Sequence, residues 1–226
     1  KTLDFIEKRG LKLDTLYFDG YAAHAGGVED YSPEHPVTRR RGYDLMNKAM
    51  SETRARGIMP AAEVGRFWCV PDADFFFFTD WSRERLTNTD NVQSVAPVGD
   101  PVPLFQLVFH DCCMAGFSGG GYSTIRAGCD WWRDRTPRLY EMLFASAPAY
   151  NWLPLCDLPV DDWDSDVARA RFEWLKKWST YYRAIATAEM TSHRFLSDDR
   201  KQQRIEFDNG IWAEFDMGRD MCRVGG

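Results

Sequence analysis

The sequence predicts an α/β fold, the C-terminal portion of a (β/α)8 TIM barrel followed by the start of a β-rich domain. Three observations carry this expectation. Short, continuous apolar runs recur along the chain, with a helical stretch between the first two. Acidic residues follow several of these runs directly. Towards the C-terminus the pattern changes to the alternation of a hairpin. Continuous rather than alternating apolar runs suit strands covered on both faces, as in a parallel sheet.

The first run, residues 13–18, ends in Asp19-Gly20. The second, 57–62, ends in Glu63, and the third covers 73–78. The fourth, 103–109, ends in His110-Asp111, and a weaker fifth spans 147–153. Residues 38–56 read as a helix, because Leu45, Met46, Ala49 and Met50 fall on one stripe and Gly57 stops it. Arg39, Arg40 and Arg41 then form a solvated helix start. Another helix is expected at 135–145. A long one is expected at 165–191, where Ala168, Phe172, Leu175, Trp178, Tyr182 and Ile185 follow three- and four-residue steps. That stripe reads as core rather than as a ligand groove. Strand–helix–strand alternation with short returns implies βαβ crossovers. A (β/α)8 barrel is the cleanest host, and the chain supplies only its later strands.

In the tail, 203–207 and 211–215 flank Asp208-Asn209-Gly210, a strong turn signal. The expected organisation is a partial catalytic barrel over residues 1–196 and the first hairpin of a C-terminal β-sandwich over 197–226. The chain opens on Lys1 and is expected to run almost directly into a strand, as the interior of a longer gene product would.

A length of 226 residues suffices for one large core, or one core with a small appendage. Aromatic residues make up 15% of the chain, including nine Trp, enough to fill a core and still offer faces on which sugar rings stack. A net charge of −6, with no Lys/Arg tract interleaved with aromatics, argues against a nucleic-acid partner. Six Cys, including the adjacent Cys112 and Cys113, form neither a disulfide framework nor the CxxC spacing of a zinc site. No apolar run reaches membrane-spanning length, and no signal peptide is visible.

Chemistry concentrates at the strand ends. In a (β/α)8 barrel the active site sits at the C-terminal ends of the strands, and here Asp19, Glu63 and Asp111 each directly follow an expected strand. An acid alone at such a place reads equally as a cap or turn residue; the recurrence favours a carboxylate site. Neighbouring parallel strands lie about 4.8 Å apart, which suits the separation of about 5–5.5 Å between the two carboxyls of a retaining glycosidase. The loop after Asp19 is long and rich in polar and aromatic residues, with Tyr21, His24 and the stretch from Glu29 to Pro36, and a loop of this kind shapes a subsite. Asp30, Glu34, His24 and His35 offer a metal-ligand alternative, though without an HxH or HExxH pattern. After Glu63, Arg66 suits a carboxylate or a pair of hydroxyls, and Trp68 a stacked ring. Residues 116–122 lack the phosphate-loop pattern and read as a mobile loop over a cleft or as a plain connector.

Tyr17-Phe18-Asp19, Glu63 after the next strand, and Phe109-His110-Asp111 further on together resemble the α-amylase-like retaining glycosidases. The phrases Asp30-Tyr31-Ser32-Pro33-Glu34-His35-Pro36, residues 103–111, and residues 189–196 are similar to the branch of endo-α-N-acetylgalactosaminidases, glycoside hydrolase families 101 and 129, and their bacterial relatives. The resemblance implies barrel strands four to eight, with residues 73–78 as strand six. It implies Asp19 as nucleophile and Glu63 as acid/base, with Asp111 binding sugar hydroxyls and stabilising the transition state beside His110. Tyr21, His35, Arg66 and Trp68 are the further expected substrate-binding residues. No cofactor or metal is implied. The expected partner is a carbohydrate, an oligosaccharide or a glycoprotein glycan, and such a substrate favours an extracellular or periplasmic site. The chain departs from the family in lacking strands one to three and in its longer Asp19-to-Glu63 loop. Tyr17 and Phe18 also stand where amylases carry an Arg, which disfavours starch-type substrates. A catalytically silent carbohydrate-binding fragment and a metal-dependent hydrolase are the competing readings.

Overall fold

Residues 2–20, 29–78, 102–116, 136–148 and 164–226 are described by the computed structural model. They fall into two units, Lys1–Phe77 and Phe78–Gly226.

The first unit opens with a helix, α1 (Thr2–Lys8), where the sequence reading has the chain running almost directly into a strand. Asp4 and Glu7 on α1 both pair with the Arg56 guanidinium, at 2.7 and 3.1 Å, an anchor far away in sequence. Strand β1 (Thr15–Phe18) then pairs in parallel with β2 (Met59–Val64), in a register running from Thr15↔Met59 to Phe18↔Ala62. Strand β3 (Phe75–Phe78) lies on the other side of β2, and the Asp74 N–H donates to the Pro60 carbonyl at 2.9 Å. Ala61 and Ala62 point to opposite faces of β2, yet both are fully buried. The strand is therefore covered on both sides, as its continuous apolar run requires.

Helix α2 (Arg39–Ala55) joins β1 to β2. Thr38 is its N-cap, with Oγ1 accepting from the Arg41 N–H at 3.3 Å, and the three arginines at its start are exposed. Of the expected apolar stripe, Met50 is wholly buried but Leu45 is exposed. A second row of residues grips the loop between β2 and β3. Tyr43 stacks on Trp68, and the Asn47 amide donates to the Trp68 carbonyl at 2.8 Å. Ser51 bonds Asp72, and Arg54 reaches both the Pro71 carbonyl and Asp74. Steps of three and four place these residues on one side of the helix.

In the second unit the first element corrects an expectation. Residues 104–109 form helix α3 (Leu104–Phe109), not a strand, so His110 and Asp111 follow a helix. Leu107 N–H bonds the Pro103 carbonyl and His110 N–H the Gln106 carbonyl, and the Phe105 and Phe109 rings meet one turn apart at 5.1 Å. A short apolar run fits a buried strand and a buried helix equally by periodicity, and Pro103, lacking an N–H, suits a helix start. Strand β4 (Met114–Ala115) and helix α4 (Thr136–Leu143) follow. Residues 147 and 148 of the weak fifth strand are not in a strand, and the remainder of it lies outside the described residues.

Helix α5 (Asp166–Ile185) ends earlier than the sequence suggests, since Met190 and Thr191 already belong to strand β5 (Met190–Phe195). Trp178, Tyr182 and Ile185 are buried as expected, whereas Phe172 is exposed. Trp178 Nε1–H donates to the Ser146 carbonyl at 3.2 Å and the Tyr181 hydroxyl to the Met142 carbonyl at 3.4 Å, tying α5 to the end of α4. Strands β5, β6 (Gln202–Phe207), β7 (Trp212–Asp216) and β8 (Met221–Gly225) form an antiparallel sheet in that order. The expected hairpin is β6–β7. Ile205, Phe207, Ala213 and Phe215 alternate inward and are buried to 4% exposure or less.

Candidate active site

Asp19 and Glu63 come together because β1 and β2 are parallel neighbours. Their register, continued by one residue past Phe18↔Ala62, sets Asp19 opposite Glu63. Paired residues of parallel strands share a face, and so do residues two apart. Tyr17, paired with Ala61, therefore lies on the same face as Asp19 and Glu63.

A hydrogen bond ties the two strand ends: the Gly20 N–H donates to Glu63 Oε2 at 2.8 Å. Burial, then the charges of Glu63 and Asp19, push the Tyr17 phenol above its ordinary range. Tyr17, beside the two acids, is a residue that the sequence reading did not single out for a role. Its position two residues before Asp19 in an expected strand was the available signal.

The other candidate residues are distributed. His35 pairs through Nδ1 with Asp30 Oδ2 at 2.7 Å, on an exposed turn. Asp30 braces that turn further, through Oδ1 to the Ser32 N–H at 2.8 Å and through two backbone bonds with Val37. The phrase from Asp30 to Pro36 thus encodes a self-bonded loop. Trp68 has one ring face against Tyr43, centroids 4.4 Å apart, so part of its expected stacking surface serves packing. Its neighbour Phe67 is 75% exposed. Arg66 is half-buried, and its carbonyl accepts the Cys69 N–H at 3.0 Å. Tyr21 and His24 lie outside the described residues, as do residues 117–122 of the glycine-rich stretch.

His110 and Asp111 belong to the second unit. His110 is 4% exposed, and its Nδ1–H donates to the Ala188 carbonyl at 2.8 Å, which fixes Nε2 as the lone-pair nitrogen. Nε2 is buried without a hydrogen-bond partner. Burial lowers the imidazole pKa, against the opposing pull of the Ala188 and Ala145 carbonyls and the Asp111 charge, so His110 is neutral. Asp111 is exposed and accepts from the Cys112 thiol at 3.3 Å. Among the described residues, no group of three or more His, Cys, Asp and Glu side chains is placed to hold a metal ion. Among them, too, no helix is long and apolar enough to cross a membrane.

The fold is thus a mixed α/β arrangement, with a parallel sheet carrying paired carboxylates and a separate antiparallel sheet. Solved structures of the α-N-acetylgalactosaminidase NagBb from Bifidobacterium bifidum share it. A quadruple mutant aligns over 99% of this chain and 32% of that one, with TM-score 0.72 and 23% identity. The Gal-NHAc-DNJ complex aligns over 100% of this chain and 34% of that one, with TM-score 0.73 and 22% identity. The GalNAc complex aligns over 100% and 33%, with TM-score 0.72 and 22% identity. The chain therefore spans about a third of the length of these enzymes, and the likeness is one of fold. No family model matches the sequence, and no curated protein matches it.

Proposed function

We propose that this chain carries catalytic strands of a retaining α-glycosidase built on a (β/α)8 barrel, with α-linked N-acetylgalactosamine or a galactose-type sugar as its substrate class. The observation that carries the proposal is that Asp19, directly after β1, and Glu63, one residue past the last register pair on the parallel neighbour β2, meet through the Gly20 N–H on Glu63. Strand spacing of about 4.8 Å suits a direct double displacement better than the separation of roughly 6.5–9.5 Å that leaves room for an inverting water. The fold shared with a bacterial α-N-acetylgalactosaminidase supports the sugar class.

In this mechanism an Asp19 oxygen attacks the anomeric carbon while the bond to the leaving oxygen breaks. Glu63 gives that oxygen its proton. The resulting glycosyl ester on Asp19 is then cleaved by water, whose proton returns to Glu63, and the sugar leaves with retained configuration. Tyr21, His35, Arg66 and Trp68, in the same unit as the two carboxylates, are the further residues proposed to bind the sugar.

The test is hydrolysis of aryl α-glycosides by the full-length protein, with NMR of the first-formed anomer. Retention is expected, and Asp19→Asn is expected to abolish turnover, while Glu63→Gln is rescued by azide on substrates with activated leaving groups. Inversion, or undiminished turnover in Asp19→Asn, overturns the proposal. Sugar binding without hydrolysis in the wild type identifies a silent carbohydrate-binding module instead.

A further inference from the structure

We infer that the exposed rings of Tyr31 and Phe67 form a stacking platform for the leaving group, so that the substrate is a glycan whose released portion is itself a sugar. The inference deepens the glycosidase proposal and rests on Glu63 being the acid that protonates the leaving oxygen. A single exposed ring is ordinary at a protein surface. Here two rings, 85% and 75% exposed, stand on the loops that follow β1 and β2, the strands at whose ends Asp19 and Glu63 are found. Phe67 comes three residues after β2 ends at Val64. One face of α2 ties the two loops together. The Tyr31 hydroxyl donates to Glu29 Oε2 at 2.9 Å, and Glu29 Oε1 pairs with Arg39 Nε at 3.4 Å. The Tyr43 ring stacks on Trp68, with centroids 4.4 Å apart. Arg39 and Tyr43 are four residues apart and so are neighbours on the helix surface. The Tyr31 and Phe67 loops are therefore held on adjacent turns of α2. Both rings stand on fixed backbone. Asp30 and Val37 exchange two backbone bonds of 2.8 Å across the first loop. In the second, the residues on either side of Phe67 are pinned, the Arg66 carbonyl by the Cys69 N–H and the Trp68 carbonyl by the Asn47 amide. Rings presented in this way lose little freedom on binding. A pyranose offers C–H bonds along one face, and the negative face of an aromatic ring attracts them.

The test uses the full-length protein and two substrates that share the cleaved sugar. One is α-N-acetylgalactosaminyl fluoride, whose leaving group has no ring. The other is N-acetylgalactosamine α-linked to galactose, whose leaving group is a sugar. Tyr31→Ala and Phe67→Ala are each expected to lower kcat/KM on the disaccharide about 5- to 10-fold, the scale of one lost aromatic contact, and to cost less than about 2-fold on the fluoride. Phe67→Trp, which keeps a ring, should retain most of the disaccharide rate. Equal losses on the two substrates overturn the inference, because the rings would then act on the cleaved sugar or through the fold. Undiminished turnover of the disaccharide in both alanine variants overturns it as well. A readout independent of turnover is the ¹⁹F resonance of 4-fluorophenylalanine placed at position 67. It should show an H2O–D2O isotope shift in the free protein, as a solvent-facing ring does, and it should move when the disaccharide is added to the Asp19→Asn variant. A resonance without the isotope shift places protein over the ring, and a resonance unmoved by the sugar leaves the ring out of binding; either overturns the inference. A resonance that moves in a protein that cleaves no glycoside supports the platform and overturns the glycosidase reading instead.

Discussion

Gly20 adopts φ +72°, a left-handed conformation, immediately after Asp19. That conformation turns the chain off the end of β1 and aims the Gly20 N–H at Glu63. Any Cβ at this φ costs about 1–2 kcal/mol. Gly20→Ala is therefore expected to lower the denaturation midpoint and also to reduce kcat/KM, because Glu63 loses its backbone donor. Urea titration and initial rates on an aryl glycoside check both, and an unchanged kcat/KM would show that the Gly20–Glu63 bond has no bearing on turnover. The Asp19-Gly20 pair is thus a turn whose conformation itself supplies the hydrogen bond to Glu63. His35 is paired with Asp30 within its own loop.

At the scale of elements, α2 and the C-terminal sheet show how packing selects among local possibilities. The row Tyr43, Asn47, Ser51 and Arg54 on α2 holds the loop that follows Glu63, so the helix is docked through polar contacts as well as through its apolar stripe. In the sheet, Trp212 pairs with Gly225, and a Cβ on Gly225 would approach the indole to 2.4 Å. The Arg204 guanidinium lies 4.4 Å from the centroid of the same ring. Gly225→Ala must therefore displace a braced ring, and overpacking of this kind costs about 1–3 kcal/mol. Thermal unfolding should register the loss, and an unaltered Tm would mean the indole moves freely. The run at 103–109 marks a limit of local reading. Its apolar residues are compatible with strand or helix. The helix is set by contacts from distant parts of the chain, including His110 on the Ala188 carbonyl and against the Phe207 ring.

For the whole chain, buried histidine sets a pH dependence. His110 and His193 both have pKa values lowered by burial. Unfolding releases them to take up protons near their ordinary value of about 6.5. The unfolded state therefore binds more protons below that pH, so the stabilisation is complete above about 6.5 and is lost as pH falls through the folded-state values. Glu206, held below the usual glutamate range first by Arg204 and then by Arg194, adds a separate loss at lower pH as its carboxylate is protonated. Denaturant midpoints at pH 7.5 and 5.5 should differ in the wild type and differ less in His110→Gln. An equal difference in both would assign the dependence elsewhere.

The sequence by itself determined the strands β1, β2 and β3, helix α2 and the β6–β7 hairpin, because each follows from periodicity and turn chemistry within a short window. It also placed Asp19 directly after β1, since an acid after a buried run is a local signal, whereas Glu63, expected just past its strand, lies within β2. Tertiary structure alone decided that 104–109 is a helix, that α5 yields to β5 by Met190, and that the Gly20 N–H meets Glu63. The physical reason is the same in each case. Strand register and the covering of an apolar face are set by residues far apart in sequence, and no window along the chain contains them.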